Sequence, residues 1–150
     1  MFNFYMSIRR LNKEATSYPT EGPVRFIGSV HPTGDLTAQQ WEVTSNDGPL
    51  QGKCIGVKVT VPNEYPFKAP EIKLDRDLFH PNVNKRTMCL DTVNNWSPSS
   101  TISDVVKEVF ETIVTPKLQS AVNTEAGELY LSNRSAYNAK SLASASVSIV

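Results

Sequence analysis

The chain reads as an α+β fold: an N-terminal helix, a four-stranded antiparallel sheet, a long loop, then three helices. Three observations predict this. The strand-like segments form one block with short, turn-rich connections, so neighbours in sequence pair in space. In "KCIGVKVTV", Ile55, Val57, Val59 and Val61 alternate with Gly56, Lys58 and Thr60, the pattern of a strand with one apolar face. In "ISDVVKEVFETI", Ile102, Val105, Val106, Val109, Phe110 and Ile113 form one stripe at helical spacing, and a helix with such a stripe packs on a sheet.

Taken in order, residues 5–16, "YMSIRRLNKEAT", place Ile8, Leu11 and Ala15 at helical spacing, with Arg9, Arg10, Lys13 and Glu14 elsewhere on the wheel. A break follows at Pro19, Gly22 and Pro23. "VRFIGSV", "QQWEVTS" and "KCIGVKVTV" are the first three strands, and "NDGPLQG" between the last two is a strong turn signal. A proline-rich segment, "PNEYPFKAPEIKL", ends in a fourth strand near residues 71–74. From there to Trp96 the chain reads as extended loop, and loops of that length in compact domains usually carry function. The best helix follows, capped by Ser100 or Thr101 and stopped by Pro116. Shorter helical patterns cover residues 122–131 and 134–143, and the tail "SLASASVSIV" is Ser/Ala-rich.

With 150 residues, one domain spanning 1–150 is expected. Fifteen basic residues balance fifteen acidic ones, so the overall field predicts neither nucleic acid nor a membrane surface as partner. No apolar run approaches the roughly 20 residues that cross a bilayer. The opening "MFNFYMSIRR" has its charges after its apolar residues, the reverse of a secretory signal. A cytoplasmic or nuclear setting with reduced thiols is expected for Cys54 and Cys89.

The stretch "LFHPNVNKRTMCLD" puts His80, Asn82 and Cys89 close together. A thiol with a pKa of about 8.5 is only slightly ionised at neutral pH. That suits exchange of a thioester between two sulfurs better than amide hydrolysis. An amide such as that of Asn82 could donate to a tetrahedral oxyanion. Spacing alone leaves two readings of Cys89: a nucleophile, or a small buried apolar residue.

"HPNVNKRTMCLD" followed by "WSP" resembles the active-site segment of ubiquitin-conjugating enzymes. "RRLNKE" is similar to the start of that family's first helix, and "LQGKCIGVKVTVPNEYPFKAPEIKL" to its third and fourth strands and the turn between them. "SAVNTEAGELY" is similar to the segment entering its third helix. The resemblance implies that Cys89 carries ubiquitin, or a ubiquitin-like protein, as a thioester received from an activating enzyme. The modifier then passes to a substrate lysine or a ligase cysteine. It implies that Asn82 stabilises the oxyanion or holds a loop, and that Asp91 sits where it can tune the field met by a lysine. Ser120 would face the cysteine, while His80 and Pro81 would be structural. Phe67, Ser97 and Pro98 match the positions that engage ligases, and Arg10 and Lys13 match those that meet the activating enzyme and ligases. No cofactor and no metal are implied, ATP being used by the activating enzyme; a monomer is expected.

The chain also departs from the family pattern. The run from His80 to Cys89 is one residue shorter and lacks the usual glycine, so backbone strain is expected at Lys85 or Arg86. "TPKLQSAVN" lacks the usual Pro-Asn-Pro. Neither terminus carries a long extension, so little beyond a catalytic core is expected. Other readings are a carrier of another modifier, a catalytically impaired ubiquitin-binding variant, a cysteine hydrolase, and a zinc site built from His31, Cys54, His80 and Cys89. His31 is expected in a surface loop, Trp41 and Trp96 as packing residues, and Cys54 on the outer strand face, dispensable.

Overall fold

The computed structural model describes residues 4–146. Helix α1 (Phe4–Ala15) leads into a four-stranded antiparallel sheet of β1 (Val24–Ser29), β2 (Ala38–Thr44), β3 (Cys54–Thr60) and β4 (Glu71–Leu74), ordered as in sequence. A two-stranded hairpin, β5 (Val83–Asn84) and β6 (Thr87–Met88), comes next. Helices α2 (Asp91–Asn94), α3 (Ile102–Val114), α4 (Thr124–Ser132) and α5 (Arg134–Ala145) complete the chain. This is the α+β architecture expected. Residues 147–150 of the Ser/Ala-rich tail lie outside the described residues.

The alternation in β3 decides which face of the sheet is dry. Ile55, Val57 and Val59 are fully buried beside Trp41 and Val43 of β2, and α3 covers them with Ile102, Val105, Val106 and Val109. Cys54, Lys58 and Thr60 point outward, as expected. Gly56 shares that outer face for a steric reason: a Cβ there would lie 2.9 Å from Asp75 Oδ2 and 3.1 Å from Gln40 Nε2. Helix α3 starts at a reciprocal cap, Asp104 N donating to Thr101 Oγ1 (3.1 Å) and Thr101 N to Asp104 Oδ2 (3.0 Å). Such a box satisfies two main-chain donors that a helix start leaves without partners. On α1, Leu11 is buried, whereas Ile8 of the expected stripe is exposed.

Glu14, on the last turn of α1, has its side chain only 8% exposed. It accepts from Arg10 Nε (2.7 Å), Tyr65 Oη (2.5 Å) and the main-chain N of Ile102 (3.0 Å). The carboxylate therefore joins α1, the loop after β3 and the first residue of α3. Nothing in the sequence marks it, because a Glu beside Lys13 reads as solvated helix surface.

The stretch from residue 75 to Trp96 is not the extended loop expected. Val83 pairs with Met88 and Asn84 with Thr87, leaving Lys85 and Arg86 as a two-residue turn. Both have left-handed backbones, at φ 51° and 67°, the type I′ geometry that tight hairpins select because its twist matches the strands. Asn-Gly satisfies this geometry cheaply, and a Lys-Arg pair does not, so the sequence masks the hairpin. The expected strain is present at both residues. It is held in place by the Arg86 carbonyl, which accepts from Leu74 N (2.8 Å), and by Thr87 Oγ1, which donates to the Asn84 carbonyl (2.6 Å).

A left-handed non-glycine residue costs about 1–2 kcal/mol. The double substitution Lys85→Asn/Arg86→Gly should therefore raise unfolding free energy by about 1 kcal/mol, part of the relief being offset by the extra freedom of glycine in the unfolded chain. Urea denaturation should show a higher midpoint at unchanged slope.

Candidate active site

Cys89 follows β6 directly, with Leu90 after it plugged into the core at 1% exposure. That anchor leaves the cysteine half-buried at the surface, between the hairpin and α2. Asn94, at the end of α2, donates from Nδ2 to the Cys89 sulfur at 3.1 Å. Only a helical turn brings residue 94 back over residue 89, so this contact depends on α2 being formed.

Four residues make a weak helix, and α2 is held from outside. Glu108 of α3 accepts from the main-chain N of Asp91 (2.6 Å) and of Thr92 (2.8 Å). These are donors that a helix start leaves open, and a carboxylate is well placed there. Burial alone would raise the Glu108 carboxyl. The hydrogen bonds from Thr92, Asp91 and Lys117 outweigh it and hold the pKa below its ordinary value.

Across the site runs the segment after α3, a single 3-10 turn at Leu118–Ser120. Asn82 fixes it. Fully buried, its Oδ1 accepts from Lys117 N (2.8 Å), and its Nδ2 donates to the carbonyls of Lys117 (2.9 Å) and Ser120 (3.3 Å). Both amide hydrogens are used, so Asn82 is engaged here in holding the loop. The Pro81 carbonyl adds two further ties, accepting from Val122 N (2.8 Å) and Asn123 N (3.0 Å). Ser120 closes back on its own turn, Oγ to the Lys117 carbonyl at 3.4 Å. The side chain of Lys117 then reaches Asp91 (3.1 Å) and Glu108 (3.3 Å). Asp91 is thus the first residue of a helix and, although largely exposed, half of an ion pair.

His80 is 1% exposed, and its Nδ1 accepts from Asn82 N at 3.0 Å. Desolvation lowers its pKa from 6.5 to about 4, against weaker upward pulls from the carbonyls of Ile113 and Thr112. The ring is neutral at pH 7, its Nδ1 is taken by Asn82 N, and its Nε2 is buried without a hydrogen-bond partner, so it offers a hydrolase no base at the thiol. Among the described residues, no three His, Cys, Asp or Glu side chains gather as a metal site would require.

The expected partner positions lie on neighbouring loops. Phe67 is 66% exposed and Pro98 and Ser97 are exposed. Trp96 Nε1 donates to the Pro66 carbonyl (2.7 Å), tying the two loops together, and Tyr65 packs against the Trp96 ring at 5.7 Å. Arg10 donates to the carbonyls of Pro98 (2.8 Å) and Ser100 (2.7 Å), while Lys13 stays exposed. Arg10 therefore sets the height of the Pro98 loop besides contributing charge. Sequence reasoning missed Glu14, Asn94, Glu108 and Lys117. Of these only Glu108 carried a signal, as an acid inside the apolar stripe of α3.

A family model for ubiquitin-conjugating enzymes matches residues 10–145. The chain belongs to this family, and its function is of the ubiquitin-conjugating kind, with ubiquitin and the pathway's activating enzymes and ligases as its general class of partners.

Two outcomes follow from the loop anchorage. Asn82→Ala strips three hydrogen bonds from buried groups and should cost about 2–3 kcal/mol in urea denaturation. For His80, the unfolded pKa of 6.5 exceeds the folded value of about 4. Between these values the unfolded chain binds the proton and the folded chain does not, so stability rises with pH. The contribution, about 3 kcal/mol, is complete above pH 6.5 and is lost on acidification toward pH 4. Denaturation midpoints between pH 7.5 and 4.5 should fall steeply in the native chain and less in His80→Asn.

Proposed function

We propose that Cys89 is the thioester carrier. Its thiolate attacks the thioester joining the ubiquitin C-terminus to the activating enzyme; a new C–S bond forms at Cys89 and the enzyme's cysteine leaves as thiolate. In the second step a lysine amine or a ligase cysteine attacks the same carbonyl, and the Cys89 sulfur leaves. The observation that carries this reading is the half-exposed thiol at the junction of hairpin and helix, with the Asn94 amide on its sulfur and a walled-off loop beside it. Cys54, exposed on the outer sheet face, has no such setting.

Each neighbour then has a role set by its contacts. Asn82 and Pro81 keep the 117–123 segment across the site, and His80 keeps Asn82 in place. Asp91 and Ser120 flank the approach of the acceptor, Asp91 by charge and Ser120 by its hydroxyl. Phe67, Ser97 and Pro98 form the ligase-facing surface, with Arg10 setting its height and Lys13 offering a cation to the activating enzyme. Intact Cys-Leu-Asp and Trp-Ser-Pro triplets favour ubiquitin as the modifier. The chain would act as one domain and as a monomer, in cytoplasm or nucleus, without a cofactor of its own.

Charging with activating enzyme, ATP and ubiquitin should give a thiol-labile adduct on non-reducing gels. Cys89→Ser should give instead an adduct that survives thiol, and Cys54→Ser should charge as the native chain does. Charging only by a different modifier would keep the mechanism and change the pathway. No adduct with any modifier would reject Cys89 as a carrier and leave a ubiquitin-binding role.

A further inference from the structure

Lys117 is gripped from two directions. Its main chain is paired by the Asn82 amide through N (2.8 Å) and O (2.9 Å). Its ammonium lies between two carboxylates, 3.1 Å from Asp91 and 3.3 Å from Glu108. The two acids differ. Glu108 is 8% exposed and already accepts the Asp91 and Thr92 main-chain donors, so its charge is committed inward. Asp91 is 69% exposed, stands two residues past Cys89, and is the carboxylate that a cation approaching from solvent would meet. Lys117 already occupies it, and this pairing raises the pKa of the Lys117 ammonium, Asp91 being the larger cause.

An acceptor lysine arrives in solution as an ammonium. A carboxylate beside the thioester would concentrate it there by charge attraction, before the neutral amine attacks. A thiol acceptor is neutral before attack and gains nothing from the same carboxylate. We propose that Lys117 is a specificity-determining residue: by holding Asp91 in an intramolecular ion pair, it displaces the incoming lysine ammonium and biases transfer from lysine toward thiol acceptors. This rests on the reading of Cys89 as the thioester carrier. In the disfavoured route the lysine nitrogen bonds to the carbonyl carbon, the C–S bond breaks, the Cys89 sulfur leaves as thiolate, and the amine proton passes to solvent.

The loop should outlast removal of the ammonium, because the Asn82 and Pro81 ties to the segment are to main-chain atoms. Lys117→Gln deletes the charge at similar length, and Lys117→Arg retains it. After charging with ubiquitin and quenching of the activating enzyme, loss of thioester is followed with free L-lysine and, separately, with 2-mercaptoethanol as a neutral thiol. The ratio of the lysine rate to the thiol rate should rise about three- to fivefold in Lys117→Gln, the range an exposed ion pair can deliver, and return toward the native ratio in Lys117→Arg. A loop-positioning role alone would move both rates together and leave the ratio unchanged. An unchanged or lower ratio, an equal shift in Lys117→Arg, or a Lys117→Gln chain that no longer charges would overturn the proposal.

A second measurement needs no charging. Titration with n-butylammonium chloride against matched sodium chloride should shift the Asp91 and Thr92 amide resonances in Lys117→Gln and leave them in place in the native chain. Equal response in both chains would also overturn the proposal. Failure of the native chain to charge would instead count against Cys89 as carrier, and the amine titration would still decide the role of Lys117.

Discussion

One buried side-chain amide does the work of a strand at this site. The Asn82 carboxamide is planar like a peptide and pairs with both main-chain groups of Lys117, donor to its carbonyl and acceptor from its N–H, with a further donor to the Ser120 carbonyl. No water reaches it, so each bond must be made, and an unmade one would cost more than its formation contributes. Its own backbone is positioned by a histidine that serves only while neutral. The wall beside Cys89 therefore hangs on a short chain of polar groups that have no solvent alternative.

Two buried acids extend the same logic through the molecule. Glu14 and Glu108 lie far apart in sequence, yet each accepts at the first residue of a helix, Ile102 for one and Asp91 for the other. A helix start presents unpaired N–H groups and partial positive charge, so a carboxylate there is both bonded and electrostatically favoured. Through these contacts α1 sets α3, α3 sets α2, and α2 sets the amide on the cysteine sulfur. The position of Asn94 over the thiol is thus traceable to a glutamate on the first helix.

The architecture was legible because its signals are periodic. The alternation of Ile55 to Val61 and the stripe from Ile102 to Ile113 survive in a bare string of letters, and Thr101 could be named as a cap from its type and place. The site was legible only where residue order matched a family, as with Cys89 and Asn82. What stayed hidden is what distance in sequence conceals. Lys117 and Asp91 have no pattern linking them, and Glu14 beside Lys13 looks like any helix surface. The hairpin at residues 83–88 was hidden for another reason. Its turn uses residues that disfavour the geometry, so propensity pointed away from the structure that neighbouring hydrogen bonds impose.

The same turn puts a dibasic pair, Lys85-Arg86, at the tip of the hairpin that leads to Cys89. Proteases that cut after basic residues bind their substrates extended, over several residues on either side of the cut. A two-residue reversal clamped by Leu74 N and Thr87 Oγ1 cannot offer that shape. Cleavage must wait for the hairpin to open, so its rate follows the population of opened chains. A peptide bond that is among the most vulnerable in the sequence is thereby shielded by geometry alone, and whatever unlatches the hairpin exposes it.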